Sequence, residues 1–349
     1  MRRIYGVDIA RIMAMFMVVV VHNLNQGGVL KNTTTTIGFL SANELFNLVI
    51  VAVNIFALIT GFVYSGKGIR LNRILGLYFE VLFLSISSLA IYTIFFGVPK
   101  NIDIAKSILP LLSGEYWYFN AYVGFVIVEP LLRYGINKLS RTTLLRIVVI
   151  MLLFSGTVGF TDSRILQVGY STEWLITLFV AGVVIKKYST EIAKINNSIL
   201  IIIVVGMSLV SLLAEFVLRA HVLRIASYTS PIVIVQSLAI FILFTRIEVK
   251  NPIFQKILLF LSPLSFGVYI LDTSIFFYGY ILKDLFKDIT RNFPIVVTLL
   301  IVILSSVMFF ACFMVINYIR VKIFELLKVN DFILMITNFM NRKVIKSKL

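Results

Sequence analysis

The chain has 349 residues, 60% of them apolar and 14% charged, against about 45–50% and about 25% in a soluble domain. That balance excludes a soluble enzyme, a disordered chain and a secreted disulfide scaffold, the last also because Cys312 is the sole cysteine. Thirty-two Lys and Arg against 16 Asp and Glu give a formal charge of +16, which in so apolar a chain reads as the cytoplasmic-loop bias of a membrane protein rather than a nucleic-acid footprint.

A helix crosses a hydrocarbon core with about 20 mostly apolar residues. The apolar runs predict an all-α, polytopic membrane protein of about ten transmembrane helices, over 7–25, 44–64, 72–96, 116–136, 142–160, 172–187, 197–217, 226–245, 258–282 and 294–319. Arg2 and Arg3 precede the first run, but no small-residue cleavage site follows, only His22-Asn23-Leu24-Asn25-Gln26. It reads as a retained anchor rather than a cleaved leader. The sixth, Thr172 to Lys187, is the shortest.

The connections alternate in charge. Arg2, Arg3, Lys67, Arg70, Arg73, the basic residues of 133–146, 186–194 and 246–256, and those from Arg320 on make 22 Lys and Arg on one side. The other side has nine: Lys31, Lys100, Lys106, Arg164, Arg219, Arg224, Lys283, Lys287 and Arg291. The positive-inside rule then puts both termini in the cytoplasm, and only an even number of spans keeps the alternation. Residues 1–320 read as one integral-membrane domain and 321–349 as a basic cytoplasmic tail. Leu326, Val329, Ile333, Ile336 and Met340 recur there at helical spacing, so the tail is either an amphipathic helix on the inner leaflet or a disordered basic segment.

Ionisable residues inside spans are expensive and mark candidate sites. The first helix holds three: Asp8, Arg11 and His22. Eleven residues at about 100° each return to nearly the same face, so Arg11 and His22 share one side about 16 Å apart. Asp8 neighbours Arg11 at i, i+3. The stripe Asp8, Arg11, Met15, Val18, His22 reads as a polar wall. Equally, Asp8 and Arg11 fit a snorkelling pair at one interface, with His22 at the other.

The inner loop from Thr60 to Arg73 ends in Arg70-Leu71-Asn72-Arg73. Two arginines at i, i+3 at a helix start present two guanidinium forks to one anion, although topology-setting charge explains them too. Glu80, Glu129 before Pro130, Asn54, Glu215 and Asp272 are further polar groups within spans, each readable as a packing partner or a catalytic group. Tyr116, Trp117, Tyr118 and Trp174 start spans at the outer face, where an aromatic belt accounts for them, although aromatics at a cavity mouth can also stack on sugar rings. His221, in an outer loop, reads as solvated. Two histidines leave little for a His-based metal centre, and no metal site is expected. GxSxG, HExxH, P-loop and GxGxxG patterns are absent.

Taken together, the motifs resemble the membrane acyltransferase family 3, the integral-membrane O-acyltransferases of bacterial surface polysaccharides. Gly6-Val7-Asp8-Ile9-Ala10-Arg11 with His22 eleven residues on is similar to that family's arginine–histidine pair. Ile59-Thr60-Gly61-Phe62 resembles its Ser-Gly-aromatic segment, with Thr for Ser. Arg70 to Arg73 resembles its RxxR motif, Tyr116-Trp117-Tyr118-Phe119 its outer aromatic motif, Glu129-Pro130-Leu131-Leu132 its Pro-Leu-Leu ending, and Ser265 to Leu271 a late segment. Two departures stand out. Asp272 occupies a position where many members carry His, and no extracytoplasmic hydrolase-like domain follows, so transfer is expected to be completed alone or with a separate partner.

The resemblance implies the following. An acyl-CoA donor, usually acetyl-CoA, arrives from the cytoplasm as a substrate, with no permanently bound cofactor. Its phosphates meet Arg70 and Arg73, its pantetheine arm passes Arg11, and Asp8 orients Arg11. His22 acts as general base for a glycan hydroxyl, or carries the acyl group between two half-reactions. The expected surroundings are the lipid bilayer of a bacterial inner or plasma membrane, with a glycan acceptor and no nucleic acid. A transporter of lipid-linked glycans or other polar solutes is the main alternative; it would show inverted repeats with matching broken helices.

Overall fold

A computed structural model describes residues 3–218 and 225–346; Arg2, Arg219, His221, Arg224 and Lys348 lie outside the described residues. Those described are helical or irregular, with no strand among them. In chain order the helices are α1 (Tyr5–Asn25), α2 (Val29–Asn32), α3 (Thr36–Val49), α4 (Ala52–Phe62), α5 (Leu71–Phe96) and α6 (Asn101–Ile108). There follow α7 (Trp117–Lys138), α8 (Arg141–Thr161), α9 (Thr172–Lys187), α10 (Ser189–Ile192), α11 (Asn197–Leu218) and α12 (Pro231–Thr245). The last are α13 (Pro252–Leu261), α14 (Ser265–Asp272), α15 (Lys287–Asn292), α16 (Ile295–Leu326) and α17 (Val329–Lys346).

Among the described residues seven helices are long and apolar enough to cross a membrane: Tyr5–Asn32, Thr36–Phe62, Leu71–Phe96, Arg141–Thr161, Asn197–Val217, Pro252–Asp272 and Ile295–Leu326. They correspond to seven of the ten expected spans. The other three are helices as well, but differ in kind. α9 and α12 have only 16 and 15 residues, and the 22-residue α7 interrupts its apolar run with Glu129, Pro130 and Arg133. α9 is enclosed by protein along most of its length, from Trp174 to Ile185, so its shortness exposes no backbone to lipid.

Capping residues explain several boundaries. The Thr35 hydroxyl accepts the Gly38 N–H and starts α3 at Thr36, eight residues before the expected span. Ser140 and Ser171 cap α8 and α9 in the same way, and Asn251 caps α13 twice. Each such cap contributes about 1 kcal/mol. The expected span over 258–282 is displaced, because Asn251-Pro252 starts the helix early and α14 ends at Asp272. Pro263 breaks that span into α13 and α14 through a 3-10 turn, Ser262–Leu264. α16 extends past the expected end at 319 to Leu326, and Arg320, counted among the inner-side charges, is buried in the bundle.

α1 is the central helix and packs on α4, α16, α14, α12 and α3. α4, packed on α1, in turn crosses α9 closely. A Cβ on Gly61 would lie 1.9 Å from the Phe179 carbonyl oxygen, and one on Gly182 2.2 Å from that of Leu58. Glycine at both positions lets the two backbones touch. α5, α8, α11 and α16 present exposed apolar side chains outward, among them Ile94, Ile150, Ile202 and Leu300. α17 packs back on α5, Phe332 meeting Phe79 edge-on, with Ile333 buried.

Candidate active site

At the N-terminal end of α1 the buried Asp8 carboxylate gathers three groups. Arg3 binds it with a two-pronged fork, Nε donating to Oδ2 and Nη2 to Oδ1, both at 2.8 Å. The Ser262 hydroxyl donates to Oδ1 at 2.8 Å and accepts from Arg11 Nη1 at 2.7 Å. Arg11 Nη1 itself stands 3.5 Å from Oδ1. The expected Asp8–Arg11 pair is therefore present, but Asp8 holds Arg11 mainly through Ser262. Sequence reasoning missed Ser262, although a serine before proline inside an apolar run is a local signal for a polar helix break.

Three turns further along α1, His22 Nδ1 lies 2.6 Å from Oδ2 of Asp272, which is fully buried at the end of α14. A carboxylate there takes Nδ1–H as its donor. The Nε2 lone pair is then the basic site. The Tyr278 ring meets the imidazole edge-on at a centroid distance of 5.0 Å. Asp272 was the departure from the resemblance; in the fold it is the histidine's partner.

Two cavities flank this wall of α1. The larger, about 580 Å³, is lined by Arg11, Thr60, Lys67, Arg70, Arg73 and Ser262 together with apolar groups from α4, α5, α7 and α14. Arg70 is the residue before α5 and Arg73 lies in its first turn, so their guanidinium groups join the positive end of a 26-residue helix. The Arg133 guanidinium packs directly on Gly68, where a Cβ would lie 2.2 Å from Nη1. The smaller cavity, about 20 Å³, is lined by Met15, Val18 and His22 with Trp117, Tyr228 and Tyr269 among others. The predicted stripe thus faces two neighbouring spaces: Arg11 the larger, Met15, Val18 and His22 the smaller.

The remaining polar candidates have partners within the fold. Glu80 accepts from Arg320 Nη2 at 2.6 Å and Asn317 Nδ2 at 3.2 Å. Asn317 also donates to the Leu264 carbonyl and accepts from Arg320 Nε, tying the 3-10 turn beside Ser262 to α16. Glu129 accepts the Tyr64 hydroxyl at 3.4 Å and has Arg133 3.9 Å away. Asn54 accepts from Trp174 Nε1 and donates to Tyr228 O and Ser237 Oγ. Asn47 donates to Glu215. The aromatic-belt expectation is corrected for Trp174, Tyr116 and Tyr118, which are at most 6% exposed and face the bundle interior, Tyr118 lining both cavities.

No curated protein and no solved structure matches the chain. A family model described as an acyltransferase domain, that of acyltransferase family 3, matches residues 4–318. The match runs from the start of α1 to near the end of α16 and takes in both cavities and every residue of the wall between them. The chain belongs to this family of membrane acyltransferases.

Proposed function

We propose that the protein is an O-acyltransferase of a bacterial plasma membrane. It moves an acyl group, acetyl in the first instance, from cytoplasmic acyl-CoA to a hydroxyl of an extracytoplasmic or lipid-linked glycan. In this reading ten helices span the bilayer and both termini are cytoplasmic; the charge alternation of the connections supports that orientation, and it survives the transfer of Arg320 to the interior. The observation that carries the proposal is the pairing of His22 with Asp272 on the same helix face that, through Arg11, lines a cavity bearing Arg70 and Arg73.

The steps follow from these groups. The donor's phosphates are neutralised by Arg70 and Arg73, with bidentate geometry open to each fork. The pantetheine arm runs along Arg11, which Ser262 and Asp8 hold in place. The acceptor hydroxyl loses its proton to His22 Nε2 as its oxygen attacks the acyl carbonyl carbon. The new C–O bond forms, the C–S bond breaks, and the CoA thiolate leaves with the proton returned from the imidazolium. Asp272 stabilises that imidazolium and holds its ring. General-base assistance of this kind is worth about 10²–10⁴-fold.

The test uses purified protein in nanodiscs with acyl-labelled acetyl-CoA and a cell-envelope glycan fraction. CoA release that rises with glycan, with label recovered in alkali-labile esters on the glycan, is the expected result. A burst of CoA without glycan and label on His22 would favour the acyl-relay variant instead. Absence of both CoA release and donor binding would overturn the proposal and bring forward transport of glycans.

A further inference from the structure

The two cavities have three lining residues in common: Phe56 of α4, Tyr118 of α7 and Phe266 of α14. These side chains stand between the arginine-lined space and the His22 chamber. The Phe56 and Tyr118 rings meet edge-on at 5.6 Å. The Tyr118 backbone N–H donates to the Tyr269 hydroxyl at 3.1 Å, which ties the start of α7 to α14, and the Phe266 and Tyr269 rings lie 6.0 Å apart. The partition is thus assembled from three helices and braced by a fourth aromatic residue. Beyond it the chamber offers about 20 Å³, little more than the roughly 10–15 Å³ that one water molecule occupies on the same measure.

We infer that Phe56, Tyr118 and Phe266 are specificity-determining residues that set the length of acyl group the enzyme transfers. The inference rests on the acyl-transfer reading above. A donor reaching from the arginines to His22 must place its thioester carbonyl at this partition. The acyl chain then lies among the three rings or in the chamber beyond them. A space of that size favours the shortest acyl group; each further methylene must displace an aromatic ring that is already in contact with its neighbours. A hydrophobic pocket discriminates by about 10–200-fold for one methylene, and here the discrimination runs against the longer chain. Removing ring atoms at Phe56 or Phe266, both only half-buried, opens room on the side facing the larger cavity without touching His22, Asp272 or Arg11.

The experiment compares CoA release from acetyl-, propionyl- and butyryl-CoA by the full-length protein in nanodiscs, with one cell-envelope glycan fraction as acceptor. Wild type is expected to turn over acetyl-CoA at least 10-fold faster than propionyl-CoA and to fall further with butyryl-CoA. Phe56→Leu and Phe266→Leu are expected to shrink the acetyl-to-butyryl ratio by 10-fold or more. The ratio is internal to each variant, so partial loss of folded protein lowers both rates and leaves it unmoved. Equal wild-type rates for acetyl and butyryl donors would overturn the inference while leaving acyl transfer intact. So would variants that turn over acetyl-CoA with the wild-type ratio. If both leucine variants are inactive, the milder Phe56→Met and Phe266→Met carry the same ratio test, and an unmoved ratio in them would overturn the inference. A wild type that turns over none of the three donors would instead refute the acyl-transfer reading and this inference with it.

Discussion

His22 Nδ1 and Asp272 Oδ2 are 2.6 Å apart across 250 residues of sequence. The first lies near the end of α1, the second at the end of the short helix α14. Ten residues before Asp272, the 3-10 turn Ser262–Leu264 joins α13 to α14. The same turn supplies Ser262 to Arg11 and Asp8. One helical stretch, Pro252–Asp272, therefore supplies partners to both polar clusters on α1.

Asp272→Asn tests what the carboxylate does. An amide of the same shape can donate to Nδ1, which reverses the tautomer and removes the stabilisation of the imidazolium. Glycan-dependent turnover should fall about 10²–10⁴-fold with little change in donor KM. Steady-state kinetics of the variant in nanodiscs check this; an unchanged kcat would reduce Asp272 to a packing group.

Ser262→Ala removes the hydroxyl that links Arg11 to Asp8 and leaves the fold's apolar contacts in place. A hydrogen bond to a charged group is worth about 1.5–3 kcal/mol, so kcat/KM for the donor should drop at least about 10-fold. Thermal stability in detergent should stay close to wild type, because Arg3 still satisfies Asp8. A variant with wild-type donor kinetics would show that Arg11 needs no such support.

Arg70 and Arg73 separate by kinetics from the residues around His22. Replacing either by Gln should raise the donor KM about 10-fold with kcat nearly unchanged, the pattern of lost uniform binding. Higher salt should weaken the wild-type donor affinity in the same direction. A fall in kcat at saturating donor would place these arginines in the chemistry rather than in binding.

Glu80 and Arg320 make a prediction about stability alone. Both are mostly buried and 2.6 Å apart. Glu80→Gln or Arg320→Met leaves one charge buried without its partner and should destabilise by about 3–5 kcal/mol. The double variant removes both charges and should recover most of that loss. Thermal unfolding in detergent measures all three; a double variant as unstable as the singles would mean that the pair does more than neutralise itself.

The elements that were legible in the sequence are those set by local rules. Apolar length marked every helix long and apolar enough to cross a membrane, and spacing placed Arg11, Met15, Val18 and His22 on one face of α1, the face that lines the cavities. Arg70 and Arg73 were legible as a pair at a helix start, and α5 begins between them. What escaped were contacts between residues far apart in the chain. Nothing near Asp272 says that it meets His22, and nothing near Glu80 points to Arg320 on α16. Helix starts set by Thr35 and Asn251 were overlooked because hydropathy averages over the polar caps that fix them. The inward aromatics Tyr118 and Trp174 were misread for a related reason: a belt residue and a cavity residue occupy the same depth, and only packing separates them.

The most direct measurement is glycan-stimulated release of CoA from acetyl-CoA by purified protein in nanodiscs, wild type against His22→Ala. With His22 as the base for the acceptor hydroxyl, the stimulated rate should fall about 10²–10⁴-fold in the variant, while donor binding through Arg70 and Arg73 persists. A His22→Ala protein that binds acetyl-CoA and still transfers the acyl group at the wild-type rate would contradict the assignment of the His22–Asp272 pair to the chemistry.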